Sequence, residues 1–75
     1  MFDVGDRVII TGKARGAYYT DPRFADYEVA KIYRQKQICR VEKVYQIFGR
    51  PCYDLVSENG CYLAKFSEKE LEKVQ

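Results

Sequence analysis

The side chains with the greatest chemical capacity in this 75-residue chain are three cysteines, Cys39, Cys52 and Cys61, and a scatter of carboxylates. No pair of the cysteines has the C-x-x-C spacing that a metal knuckle or redox motif needs, and an odd set argues against a disulfide framework. Histidine is absent, so the usual imidazole ligand, general base and pH switch are all missing. The cysteines fall in segments that read as strands rather than at a helix N-terminus, where a thiolate is favoured. As small apolar side chains they are expected in a β-core. Asp3, Asp6, Asp21, Asp26, Glu28, Asp54 and Glu58 lie apart, at turns and exposed faces, where caps and salt bridges account for them without acid–base work. With neither a nucleophile–base pair nor a phosphate-binding loop, the expectation is a non-enzymatic protein with no metal, no cofactor and no small-molecule substrate.

Binding chemistry is better represented. Residues 16–37, GAYYTDPRFADYEVAKIYRQKQ, hold four tyrosines and a phenylalanine among charges. Tyr18 and Tyr19, with Lys13 and Arg15 nearby, offer rigid amphipathic area at small entropic cost, which recognition surfaces favour. The structural alternative is that both rings cover one end of the fold. Arg34, Lys36 and Arg50 complete the candidate partner-binding set. The net charge is +2, with ten Lys or Arg against six Asp or Glu in residues 1–50 and three against five in residues 51–75. A basic front of this kind could guide an acidic partner. Nucleic acid is the rival reading, since aromatics could stack on bases while Arg15, Arg34, Lys36 and Arg40 meet phosphates, but the small net charge argues against it.

The elements that position these groups are mainly β. A chain this short forms one domain, 1–75, with no material for a second core. Strand pattern begins at Arg7 in MFDVGDRVIIT, with Gly5 turning the chain into it. QICRVEKVYQI, residues 37–47, is rich in β-branched and aromatic residues, and its apolar positions change parity between Val41 and Val44, which predicts a bulge or strong bend. FGRP, 48–51, reads as a turn, because Gly49 supplies freedom and Pro51 cannot donate to a central ladder. CYDLV, 52–56, places Tyr53 and Leu55 on one face. SENG, 57–60, ends in the Asn-Gly hairpin signal, and CYLAKF, 61–66, returns antiparallel. SEKEL, 67–71, has the capping-box form, with Ser67 placed to accept from the backbone of Glu70. It predicts a single helical turn before a short closing strand. Within the long first connection, Thr20 or Asp21 can cap a helix and Pro22 fits its first position, giving a helix of about three turns over roughly 20–35. Phe24, Val29, Ile32 and Tyr33 form its buried stripe.

The phrases FDVGDRVII and YDLVSENGCYLAKFSEKELEKV resemble the opening and closing strands of bacterial SH3-like domains, including those of phage lysins and short phage-encoded proteins. The resemblance spans residues 1–13 and 37–75, and V-G-D-x-V also opens KOW and Tudor-like barrels. It implies a small SH3-like barrel of about five short strands, with a helix inserted in the long first connection and a single helical turn before the last strand. It further implies that Tyr18 and Tyr19 occupy the loop that contacts ligands in such folds. The resulting expectation is a recognition module for a partner protein inside the cell, of phage or mobile-element type, able to modulate or inhibit a host factor. Wall binding, which the lysin resemblance also suggests, lacks a catalytic domain to target and an export signal. No apolar run has the length of a membrane span, and the start MFDVGD has neither signal-peptide nor transit-peptide character, so a cytoplasmic protein is expected.

Overall fold

In the computed structural model, which describes residues 1–11 and 19–75 and only the backbone of Tyr19 and Thr20, the alternating run Arg7–Ile10 forms β1. Val8 and Ile10 are buried and Arg7 is exposed. The short β2, Tyr19–Thr20, follows, then helix α1, Asp26–Arg34, and the strands β3, Cys39–Ile47, β4, Arg50–Ser57, and β5, Tyr62–Ser67. A 3-10 turn, Glu68–Glu70, leads into β6, Leu71–Lys73. The order across the single antiparallel sheet is β2-β5-β4-β3-β1-β6. β3 pairs with β1 at its start and with β4 along its length, so it serves both halves of the sheet. The fold is mainly β, a small SH3-like barrel in which the two-residue β2 adds a sixth strand to the expected five, with the helix between β2 and β3 and a helical turn before the last strand.

The bend in β3 lies where the parity change predicts it. The register with β4 shifts between Val41 and Lys43, and the extra residue, Glu42, transfers the inward-facing positions from Cys39 and Val41 to Val44. Tyr53 and Leu55 share the buried face of β4. The Tyr53 hydroxyl donates to Glu68 Oε1 at 3.0 Å and accepts from the Phe2 amide at 3.2 Å. Its ring meets Phe2 edge-on, with centroids 5.2 Å apart. A large ring can therefore be fully buried with its polar end satisfied.

The helix differs from expectation at its start. Asp21 does not cap it and Pro22 is not its first residue; the helix begins at Asp26, with Ala25 as N-cap. Tertiary acceptance decides the matter. Asp21 Oδ1 takes the Arg23 amide and Nε, each at 3.0 Å, and Oδ2 takes the Tyr62 amide at 3.0 Å. The carboxylate is thus committed to a local turn and to β5, and Glu28 Oε1 reaches back to the Ala25 amide at 3.0 Å instead. The buried stripe is as the spacing predicts. Val29 and Ile32 enter the core, with Phe24 and Tyr33 packed beside it. The helix ends in a Schellman arrangement, with Gln37 N bonded to Ile32 O and Lys36 N to Tyr33 O, and with Lys36 at φ 48°.

A smaller difference concerns one turn, and a second turn is as expected. The 48–51 turn is tighter than expected, because Pro51 lies within β4 opposite Gln46. Ile47 and Arg50 close a two-residue loop, which leaves Pro51 at a non-hydrogen-bonded position facing the side where β5 has ceased to pair. At the 3-10 turn Glu70 does reach back, its Oε1 accepting from the Ser67 amide at 2.9 Å. The capping box is present as the spacing predicts, and the Ser67 hydroxyl also donates to the same oxygen at 3.0 Å.

Candidate functional site

Directly opposed residues of an antiparallel pair share a face, so the register of β3, β4 and β5 places Tyr45, Ile47, Arg50, Cys52 and Ser67 together on the outer face of the sheet. At the end nearest the β3–β4 hairpin this face forms an open groove of about 740 Å³, lined by the apolar Ile47, Phe48, Pro51 and Cys52 and by Arg50, Lys65, Ser67 and Glu70. Phe48 is the outstanding member. The residue has 102% relative accessibility, and its backbone adopts φ 50°, followed by Gly49 at φ 77°. Positive φ at both central residues of a two-residue loop is the type I′ requirement, for which Asn-Gly or Gly-Gly is the relaxed choice. An aromatic residue in that first position is strained by about 1–2 kcal/mol, and no packing of the ring against the protein compensates for it. Other large apolar residues are exposed, among them Met1, Val4 and Tyr27, but none of them combines exposure with a left-handed backbone.

A carboxylate holds the sheet together beside the groove. Asp54 stands between two bulges, Glu42 on the β3 side and the Ala64–Lys65 pair on the β5 side. Lys65 takes φ 66°. Its amide, left out of the ladder, donates to Asp54 Oδ1 at 3.1 Å. The Tyr45 hydroxyl donates to the same oxygen at 2.7 Å and the Tyr62 hydroxyl donates to Oδ2. Burial, then the bond to Asp54, pushes the Tyr45 phenol well above its usual range, so it stays a donor. Asp54 and Asp21 are buried, at 6% and 3% exposure, which corrects the expectation that the carboxylates lie on exposed faces. Both are buried because backbone amides released by irregular pairing need acceptors.

Asp21 anchors the first connection. The Arg23 guanidinium, followed by the Tyr62 amide, holds its carboxyl far below the usual carboxylate range. Arg23 Nη2 also donates to Gly60 O at 2.9 Å, so the connection is tied to the β4–β5 hairpin. Cys39 and Cys61 are buried core residues and Cys52 is half-buried, all as free thiols. Burial pushes the Cys39 thiol up to about 12 and raises that of Cys61. Both are poor nucleophiles.

The residues expected to meet a partner separate into three places. Lys13, Arg15 and Tyr18 lie outside the described residues, and Tyr19 is described only as a β2 backbone position paired with Ala64. Arg34 and Lys36 are exposed at the end of α1 and do not line the groove. Arg50 does. Phe48, Ile47 and Lys65 were not among the expected residues. The signal for Phe48 was present as Phe-Gly between two strands, a bulky residue in a slot that demands positive φ.

Among the described residues no helix is long and apolar enough to cross a membrane. Comparison with known proteins returns no matching family model, no matching curated protein and no matching solved structure.

Proposed function

We propose that this protein is a non-enzymatic recognition module that binds a partner protein inside the cell through the groove beside Phe48. The observation that carries the reading is an aromatic side chain held in solvent by a strained backbone. Residues kept in sparsely populated conformations concentrate where a contact outside the fold favours them, and a large exposed ring beside Ile47 and Pro51 has the character of an interface anchor. Arg50 lines this groove, and Tyr18, Tyr19, Lys13 and Arg15 are proposed to contribute to partner binding. Small size and the resemblance to short phage-encoded SH3-like proteins favour a role as a modulator or inhibitor of a host factor.

Affinity capture from lysate tests the proposal when wild type and Phe48→Ala are compared, each with and without nuclease treatment. Capture of a protein that survives nuclease and is lost with Phe48→Ala is the expected result. Capture that disappears with nuclease would assign the surface to nucleic acid, and capture indifferent to Phe48→Ala would remove the groove from the account.

A further inference from the structure

The charges around the groove are unequally engaged. Glu70 turns Oε1 to the amide and hydroxyl of Ser67, at 2.9 and 3.0 Å. Glu68 Oε1 accepts from the Tyr53 hydroxyl at 3.0 Å and lies 3.4 Å from the Met1 amino group. Glu68 thus has a cation of its own at the N-terminus, while Glu70, which lines the groove, is hydrogen-bonded to neutral donors and keeps its charge there. The cations outnumber it. Arg50, Lys65 and Lys69 make no ion pair among the described residues. Arg50 and Lys65 line the main groove, and Arg50 and Lys69 line an adjoining one of about 420 Å³ that shares Pro51 and Ser67. Unpaired cations thus border an apolar wall on two sides.

We infer that the segment of the partner protein that fills this groove is acidic, an apolar side chain packing on Phe48 and Pro51 with Asp or Glu on either side of it reaching Arg50, Lys65 and Lys69. This rests on the reading of the groove as a protein-binding surface. A basic segment would set like charges against three cations that outnumber the Glu70 carboxylate of the groove, which disfavours it. Single-stranded nucleic acid would find the phosphate-neutralising charge but one exposed ring among the described residues of the groove, where such sites offer successive rings for successive bases.

The test is titration of isotope-labelled protein, followed by amide resonances, with three probes: a synthetic peptide carrying a central Leu-Phe flanked by Glu and Asp, the same peptide with Lys and Arg flanks, and an oligothymidylate. The acidic peptide should shift Phe48, Arg50 and Lys65, with affinity falling as salt rises. Arg50→Gln, Lys65→Gln and Lys69→Gln should each weaken it by about two- to fivefold, the range of exposed ion pairs. Lys31→Gln on α1, equally exposed, should leave it unchanged. Equal or tighter binding of the basic peptide or the oligonucleotide at these residues would overturn the inference, as would an acidic peptide that shifts none of them. The two proposals fail separately. A partner captured through Phe48 whose binding ignores all three neutralised cations overturns the acidic segment alone, whereas capture indifferent to Phe48→Ala overturns the groove itself.

Discussion

The two β-hairpins of this barrel solve the same geometric problem in opposite ways. At the β4–β5 hairpin, Gly60 occupies the left-handed position at φ 87° and its amide closes the turn on Ser57 O at 2.9 Å. The Ser57 hydroxyl donates to Asn59 Oδ1 and accepts from the Cys61 amide. Every special position there has a residue suited to it, and the polar side chains fold back into the turn. At the β3–β4 hairpin, a left-handed position is given to Phe48, whose ring touches solvent alone. The first hairpin is explained by the fold. The second is not, and a side chain that costs stability without contributing packing is the ground on which an interaction beyond the chain is proposed.

The largest expected effect sets the scale for a residue that serves the fold. Ile32→Ala, at a site with 1% exposure, should destabilise the protein by about 2–4 kcal/mol in denaturant unfolding. Partner binding should fall only in proportion to the unfolded fraction. If binding were lost in a variant that stays folded, α1 would itself be part of the recognition surface.

Ser57→Ala addresses the self-contained hairpin directly. It removes the acceptor of the buried Cys61 amide and should lower stability by about 1–2 kcal/mol, measured by the same unfolding curve, with no effect on capture. A neutral result would show that the turn does not depend on its side chains and would weaken the contrast.

The clamp that ties the first connection to this hairpin should appear in the acid limb. The Asp21 carboxyl is held below its ordinary value in the folded state, first by the Arg23 side chain and then by the Tyr62 amide. A depressed folded value means that its contribution is fully present above the unfolded value of about 4 and is lost as pH falls below it toward the folded value. Wild type should therefore exceed Asp21→Asn in stability at pH 7, and the difference should shrink below about pH 4. A difference that is constant with pH would mean that the amide makes the same contacts and the charge contributes nothing.

What the sequence made legible follows the same division. The bend in β3 was readable because adding Glu42 moves apolar residues from odd to even positions, and the packed face of α1 because Val29 and Ile32 keep helical spacing. The beginning of α1 was not, since Asp21 followed by Pro22 has the form of a cap and a first turn. Only the arrival of the Tyr62 amide from a distant strand assigns that carboxylate elsewhere. Burial of Asp54 was equally hidden, because it depends on two bulges in two different neighbours. Local rules register a residue's own preferences and cannot register an amide that another strand leaves unpaired. For Phe48 the local rule was sufficient once the loop was known to have two residues, for the mismatch between residue and conformation is itself the information.

That mismatch gives the most direct test of the central claim, that Phe48 is retained for binding at the expense of the fold. Phe48→Asn places a residue tolerant of left-handed backbone before Gly49 and should stabilise the protein by about 0.5–1 kcal/mol. The measurement is a paired one, denaturant stability and partner capture on the same preparation. The account predicts a midpoint at higher denaturant together with loss of capture. A variant that is less stable than wild type, or that captures the partner as well as wild type does, would contradict it.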